Sequence, residues 1–561
     1  MRYRNTSQMA SALILATGFW TPSAIAQPLI TPKGIVNAAA TLTPPGLPSG
    51  SIARGSLFTV YGSRMGPATG VSASTYPLLS ALSDVSMKIT QGSVSVDAIP
   101  VYVRADQINA IMPSNAPLGT ASMVITYNRI SGPPSPVQIV NSSVGIFSTA
   151  GGMGPGVFLN FVSQDNQPVN SPLVSAKRSQ VITLYATGLG PVAYADTIPA
   201  SPGNLPTPVE IFVGGKLANK LYAGRAPGVS AEDQLVFEVP PDAPLGCWVP
   251  VQVRTEGRVV SNSATMAISV DGGPCSEAAN ALAKPLIAGG KTGLVALYRL
   301  DQQHGRGRKQ VDDVLDFGVV TLRQEQGSSF AFNPLYSLPP AGSCTVYTGG
   351  VDFFSGDNPL NTAPTGKYLN GGATFSLITP RGSRAIAGPR IGPVNTATLG
   401  LNFPSYFTSK RNPVLDGGSN YQLNGDGGPD VGAIRATFAV AAPLNWTNRS
   451  QITEVDRSKP LAINWTGAPP GQTVLIIGSN SDLPFNASAM FLCAADGTAG
   501  SFSVPTQILQ SLPASRRAIQ SRGLVYVGAA PLANPSTFTA TGLDLGVVLP
   551  MSFSGKDLTF R

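Results

Sequence analysis

Short runs in which apolar and polar residues alternate, closed by Gly, Pro or Asn, recur along most of the chain. Residues 56–61 and 180–185 are β-branched and aromatic runs that end at a small residue, and residues 122–127 and 249–253 follow an Ala-Pro-Leu-Gly turn. Period-two alternation bounded by turn residues predicts strands. Pro113 and Pro240 follow two such runs, and a residue without an N–H ends a strand more readily than it interrupts one. Further strands are expected at 294–300, 314–323 and 343–347, with turns at Asn370-Gly371-Gly372 and Asp416-Gly417-Gly418. After Ala441-Ala442-Pro443 the pattern resumes around Trp446, Trp465, 474–477, 491–493, 502–504 and 537–539.

The first half repeats itself. Asp106-Gln107-Ile108-Asn109-Ala110-Ile111-Met112-Pro113 returns 127 residues later as Asp233-Gln234-Leu235-Val236-Phe237-Glu238-Val239-Pro240. Leu57-Phe58-Thr59-Val60-Tyr61-Gly62 returns 124 residues later as Val181-Ile182-Thr183-Leu184-Tyr185-Ala186. Two signals in one order and at one spacing imply two copies of an ordinary domain rather than a solenoid. Two packed antiparallel sheets per copy are the economical solution. The expected class is all-β: tandem immunoglobulin-like β-sandwich domains followed by one or two further β-rich domains. The expected segments are a leader (1–26), two sandwiches (27–148 and 149–271), a linker (272–288), a β-rich domain (289–441) and a small β domain (442–561).

Seven segments in order carry a family resemblance: Gly34-Ile35-Val36-Asn37-Ala38-Ala39, Phe58-Thr59-Val60-Tyr61-Gly62, Asp106-Gln107-Ile108-Asn109, Gly145-Ile146-Phe147, Tyr185-Ala186-Thr187-Gly188-Leu189-Gly190, Ala223-Gly224-Arg225-Ala226-Pro227-Gly228 and Val260-Ser261-Asn262. Over about residues 31–271 the chain resembles the Solibacter uncharacterised C-terminal domain family, a module of secreted acidobacterial proteins similar to paired IPT/TIG domains. The resemblance implies tandem immunoglobulin-like modules and export from a bacterial cell. It supplies no activity, ligand or catalytic residue. Val144 stands where the family usually shows Pro, and nearly 290 residues follow the module.

Residues 1–26 read independently as a secretory signal peptide. Arg2 and Arg4 precede an apolar run over 9–20, and Ala24-Ile25-Ala26 is a small-x-small cleavage site, so the exported chain starts at Gln27. The run is shorter than the roughly 20 residues of a membrane span, so no integral span is expected after cleavage. Cys247, Cys275, Cys344 and Cys493 suit an oxidising compartment. Cys247 and Cys275 flank what reads as the last hairpin of a sandwich, which favours Cys247–Cys275 and leaves Cys344–Cys493; the alternative is four free thiols.

Composition narrows the function. Only 12% of residues are charged, against roughly 25% in ordinary domains, and losing Arg2 and Arg4 lowers the net charge from +8 to +6. That is too dilute to steer a polyanion, and no nucleic-acid partner is expected. His304 is the single histidine, which removes most routes to a Ser-His-Asp triad or a His-rich zinc site.

Candidate chemistry is sparse. Asn424-Gly425-Asp426-Gly427-Gly428-Pro429-Asp430 has alternate oxygen ligands but lacks the Ca²⁺-loop template, and reads as a hairpin turn. Asp312, Asp313 and Asp316 could supply half of a glycosidase carboxylate pair; the plainer reading is a solvated strand edge. In His304-Gly305-Arg306-Gly307-Arg308-Lys309, Arg306 and Arg308 are candidate contacts to an acidic polysaccharide or phosphate. Trp248, Trp446 and Trp465 could stack on sugar, although sandwich tryptophans are usually core. Trp248 alternates with Cys247 in a strand, so one of the two should be partly exposed. Catalytic, metal and cofactor sites are not expected.

The expectation is an exported, non-enzymatic β-sandwich protein for adhesion, binding or spacing at the cell surface, in the periplasm or outside the cell, with an extracellular ligand, polysaccharide or envelope protein as partner. The alternatives are a carbohydrate-active hydrolase with a carboxylate site in 290–561 and a structural envelope subunit. N-terminal sequencing of the exported protein should read Gln-Pro-Leu-Ile, starting at Gln27; a retained Arg2 and Arg4 would refute the leader.

Overall fold

A computed structural model describes residues 27–40, 43–48, 50–304, 311–349, 366–372, 375–386, 414–482, 487–516 and 523–561. The proposed leader and its cleavage site lie outside these. The chain is nearly all β: its two described α-helices, Ala283–Ala288 and Thr506–Gln510, have 6 and 5 residues.

In the first sandwich, strand Leu57–Ser63 pairs with Leu29–Asn37 and Gln107–Ile111. The second layer joins Val85–Gln91, Gly119–Tyr127 and Ser135–Val140. Strand Val94–Val103 belongs to both layers and turns the corner at a register shift between Pro100 and Tyr102, where a missing N–H does least harm. Alternation decides the core. Phe58, Val60, Ile108 and Ala110 of one layer meet Met87, Ile89, Met123 and Ile125 of the other, all essentially without solvent contact.

The second sandwich keeps the plan. Strand Val181–Thr187 pairs with Asp233–Glu238, which pairs with Asn219–Arg225. The facing sheet joins Val209–Val213, Gly246–Thr255 and Ala264–Ile268. Register proves the repeat: Tyr61 lies opposite Gln107, and Tyr185 lies opposite Gln234. Gln107–Ile111 and Asp233–Glu238 both stop short of Pro113 and Pro240.

The copies differ in one turn, and that turn makes their joint. In the first copy Arg104 and Asp106 are two residues apart and pair at the surface, 2.5 Å apart. In the second, residues 226–232 separate Arg225 from Asp233. Ala231 packs against Leu78, Ile99 and Ile111 of the first sandwich. The Ser230 N–H donates to the Tyr76 hydroxyl (3.2 Å), and Thr187 Oγ1 accepts from Leu57 N–H (2.8 Å) while donating to the Ala231 carbonyl (2.9 Å). Arg225 is buried; it pairs with Asp233 and donates to the carbonyls of Gly55 (2.5 Å) and Gly190 (2.6 Å). Gly55 has φ +68, and a Cβ there would lie 2.4 Å from the guanidinium, so no other residue fits that turn.

The back half is built on a nine-stranded sheet. Its order is Ser343–Gly349, Ala487–Asp496, Thr473–Asp482, Gly523–Ala530, Leu545–Leu558, Lys291–His304, Val311–Glu325 and Gly366–Tyr368, with Ser536–Phe538 pairing beside Leu545–Leu558. Lys291–His304 runs parallel to Leu545–Leu558; the other pairs are antiparallel. A four-stranded sheet containing Phe375–Thr379, Ser419–Gly425 and Ile434–Val440 covers one part through Phe375, Leu423 and Phe438. A three-stranded sheet of Asn445–Trp446, Leu461–Thr466 and Ser501–Val504 packs Trp446, Ile463 and Trp465 on Phe491 and Val525. The large sheet draws strands from both sides of residue 442. Cys344 and Cys493 are cross-strand partners in it and are bonded.

Replacing Arg225 with Met should destabilise the chain by about 3–5 kcal/mol, because Asp233 is left as an uncompensated buried charge, whereas Arg104→Ala should leave the unfolding midpoint where it is. Loss of Cys344–Cys493 by double Ala substitution should remove roughly 2–5 kcal/mol. Denaturant unfolding of the purified chain reads all three.

Candidate functional site

The strand pair Cys247-Trp248, of which one residue was expected to be partly exposed, is wholly inside. Trp248 has no solvent exposure and Cys247 only 3%, so neither residue of the alternating pair faces water. The reason is a second layer of protein. Val249, Val251 and Val253 point into the second sandwich, while the opposite face of the strand packs on the back half. There Trp248 joins a core with Leu282, Leu286, Leu294 and Tyr336, and its Nε1 donates to the Ala331 carbonyl at 3.0 Å. Gln252 Nε2 reaches Ser511 Oγ (3.3 Å), and Arg254, held on Glu210 at 2.7 and 2.8 Å, reaches Gln510 at 3.4 Å. Trp446 and Trp465 are also core, with Nε1 donating to Asn448 and to the Gly497 carbonyl, each at 2.9 Å.

Cys247 is bonded to Cys275, which fastens the linker to this strand. Two residues on, Glu277 accepts the Cys247 N–H at 2.5 Å, and a Cβ on Gly246 would lie 2.6 Å from its carboxylate oxygen. Burial pushes the Glu277 carboxyl up to about 7, against the pull of the Cys247 and Trp248 N–H groups.

The acidic candidates do not assemble into a pair flanking a cleft. Asp316, expected at a solvated edge, is buried; it accepts the N–H groups of Val414 (2.5 Å) and Leu415 (3.0 Å). Burial raises its carboxyl above the ordinary value, and those N–H groups oppose the rise. Asp312 accepts from Gln303 at 3.2 Å. His304 lies between Asp557 (3.2 Å from Nδ1) and Asp313 (3.7 Å from Nε2). Arg306 and Arg308 lie outside the described residues. Residues 424–430 join two paired strands, and Asp430 accepts from the Asn370 N–H at 2.8 Å. Among the described residues no group of three or more His, Cys, Asp or Glu is placed to hold a metal ion.

The structure instead presents a cleft of about 190 Å³ where the second sandwich overhangs the back half. Its roof is the two-residue turn Gly214-Gly215, with φ of +58 and +84, and Lys216; such a turn needs residues that tolerate positive φ. Its walls are Ser343, Phe502 and Ser503. Ser343–Gly349 and Ser501–Val504 are terminal strands of their sheets, and strand edges offer unpaired backbone groups. The Lys216 ammonium is tethered to Asp242 at 2.9 Å. An aromatic ring, hydroxyls and backbone groups can hold a polar, uncharged ligand, and none of these lining groups is poised as a general acid or base. In the sequence Phe502-Ser503 reads only as part of a strand, and nothing in Gly214-Gly215 points to a cleft.

The class is thus a multidomain β-sandwich protein with a tandem immunoglobulin-like front. No family model and no curated protein matches the chain. Among solved structures, Bacteroides ovatus SGBP-B of the mixed-linkage glucan utilization locus, in complex with a mixed-linkage heptasaccharide, matches 39% of this chain at 13% identity and TM-score 0.19; the match spans 43% of that protein. Domains 5-6 of the S-layer protein SbsC match 43% of the chain and 98% of their own length, at 9% identity and TM-score 0.15. The titin I9-I11 tandem matches 70% and 95%, at 6% identity and TM-score 0.12. These likenesses are distant and transfer no ligand or assembly to this chain.

Because folded Glu277 keeps its proton to about pH 7 while the unfolded carboxyl releases it near 4.3, the folded form binds the extra proton between those values. Stability therefore falls as pH rises from about 4.5 to 7, by roughly 3 kcal/mol in total, and levels off above. Calorimetric midpoints from pH 4 to 8 should show that fall, and Glu277→Gln should flatten it.

Proposed function

We propose that this chain is an exported β-sandwich protein that binds an extracellular ligand at the envelope or cell surface, with its modules joined stiffly enough to act as a spacer. One observation carries the reading: both junctions are buried cores, Ala231 with Leu78, Ile99 and Ile111 at the first, and Trp248 with Leu286 and Leu294 at the second. Chains built to move between modules leave such junctions polar and hydrated. Two disulfides with no free thiol among the described cysteines support an oxidising compartment. The ordered motifs over 31–271 support kinship with secreted acidobacterial modules, and the leader supports export. Residues 289–561 act in this reading as one unit, since a single sheet and a cross-strand disulfide unite them. Against the hydrolase alternative, Asp312 is engaged by Gln303 and Asp316 by the backbone N–H groups of Val414 and Leu415.

The purified exported protein, incubated with a polysaccharide panel, should be retained by at least one polymer without releasing reducing sugar. Release of sugar would restore the hydrolase. Absence of both retention and release, with self-assembly in light scattering, would favour a structural subunit.

A further inference from the structure

We propose that the outward face of the three-stranded sheet Asn445–Trp446, Leu461–Thr466 and Ser501–Val504 is a binding face for a neutral polysaccharide that runs into the cleft at Ser503; this deepens the binding reading above and rests on it. The strands alternate strictly. Leu461, Ile463, Trp465 and Val504 are buried, while Asn445, Thr447, Asn464, Thr466, Ser501 and Ser503 are exposed. These six side chains carry amides and hydroxyls and no charge, and exposed Ala462, opposite Ser503, is the one apolar residue among them.

Their placement is regular. Asn464 lies opposite Ser501, the Thr447 N–H donates to the Asn464 carbonyl at 2.9 Å, and Asn445 lies opposite Thr466. Thr447, Asn464 and Ser501 therefore form a row across three strands, at about 4.8 Å per step. Asn448 holds the sheet rigid from its edge, donating to the Ala462 carbonyl (2.9 Å) and accepting the Asn464 N–H (3.0 Å), with two tryptophans packed behind. A rigid face loses little freedom when a ligand lands on it.

Some hydroxyls elsewhere in the sheets are engaged across strands, Thr90 with Ser95, Thr126 with Ser131 and Thr120 with Gln138, each at 2.9 Å, whereas exposed Thr437 is open to solvent like the residues of this face. None of the six side chains on this face makes a hydrogen bond to another described residue. Each amide and hydroxyl can both donate and accept, which matches sugar hydroxyls that do the same. A polyanion would call for Lys or Arg, and a protein partner for an aromatic or apolar centre; the row offers neither. At its edge Ser503, on the outward face, lines the cleft together with Phe502, a half-buried residue of the inward side that packs on the core.

Affinity electrophoresis of the full chain tests this in gels containing a soluble neutral glucan, a neutral xylan, polygalacturonate or dextran sulfate. Wild type should be retarded by at least one neutral polymer. The triple substitution Thr447→Ala, Asn464→Ala, Ser501→Ala should weaken that retardation at least tenfold, and the near-isosteric Asn464→Asp should reduce it as well. The control pair Thr90→Ala, Ser95→Ala should bind as wild type does, with unfolding midpoints unchanged throughout, as expected for exposed positions. Full retention by the triple variant overturns the face and leaves the binding reading standing. Retention by the two polyanions alone overturns the neutral assignment. No retention of wild type by any polymer overturns the binding reading and the face together.

Discussion

A guanidinium removed from water needs most of its donors occupied, and Arg225 meets that need with acceptors drawn from two modules. Its acceptors are Asp233 and the Gly190 carbonyl in the second sandwich and the Gly55 carbonyl in the first. Burial raises the Asp233 carboxyl above its ordinary value, and Arg225 with the N–H groups of Leu189 and Gly188 opposes the rise. Separating the modules would leave that charge network short of a partner, so the relative position of the two sandwiches is fixed by the same contacts that keep the ion pair tolerable in the interior. The turn that separates Arg225 from Asp233 also delivers Ala231 to an apolar seat on the first copy. Polar and apolar terms therefore select one arrangement.

The second junction depends on a strand that is covered twice. Gly246–Thr255 has one partly exposed position in ten, Arg254. A half-buried antiparallel strand normally shows water a polar face, and Gln252 and Arg254 look like that face in sequence. They are instead the hydrogen-bonding part of an interface whose apolar part is Trp248. Satisfying Nε1 on the Ala331 carbonyl is what allows an indole to be fully enclosed. Cys247–Cys275 then ties the linker to the strand it must follow.

Much of the fold was legible because period-two alternation reports which side of a strand meets a core, and because a duplicated pattern constrains register. The matched segments made Tyr61 equivalent to Tyr185 and Gln107 to Gln234, and the structure pairs each tyrosine with the glutamine of its own copy. The long hairpin Lys291–His304 with Val311–Glu325 was read short, at 294–300 and 314–323. Its tip is polar at Asp301-Gln302-Gln303 and Asp312-Asp313, and those residues gain ladder partners without gaining an apolar pattern. The composition shift near residue 442 marks a loop between sheets, yet backbone pairing in the large sheet crosses it. Trp248 was misplaced for the same reason that the cleft was invisible. Both depend on contacts between segments about 85 to 290 residues apart, and alternation within one strand says nothing about a second layer.

The low charge content takes on meaning at this point. Several of the ionic groups lie in joints or strand ends: Arg225 with Asp233 between the sandwiches, Arg254 with Glu210 at the back junction, Arg323 with Glu325 inside the large sheet, and His304 between Asp313 and Asp557. In the last case Tyr526 donates to Gln302 (2.6 Å) and Gln302 donates to Asp557 (3.0 Å). That network links the first and last long strands of the back half where their parallel ladder ends, and it gives the lone imidazole a structural post. Charges placed at joints fix geometry because a displaced partner leaves a costly group behind. A ligand face has the opposite requirement when the ligand is neutral. Fixed charge would hold ordered water and counterions that such a ligand must displace without compensation; the row Thr447, Asn464 and Ser501 carries none, while exposed pairs such as Arg104 with Asp106 and Lys88 with Asp97 lie elsewhere on the surface.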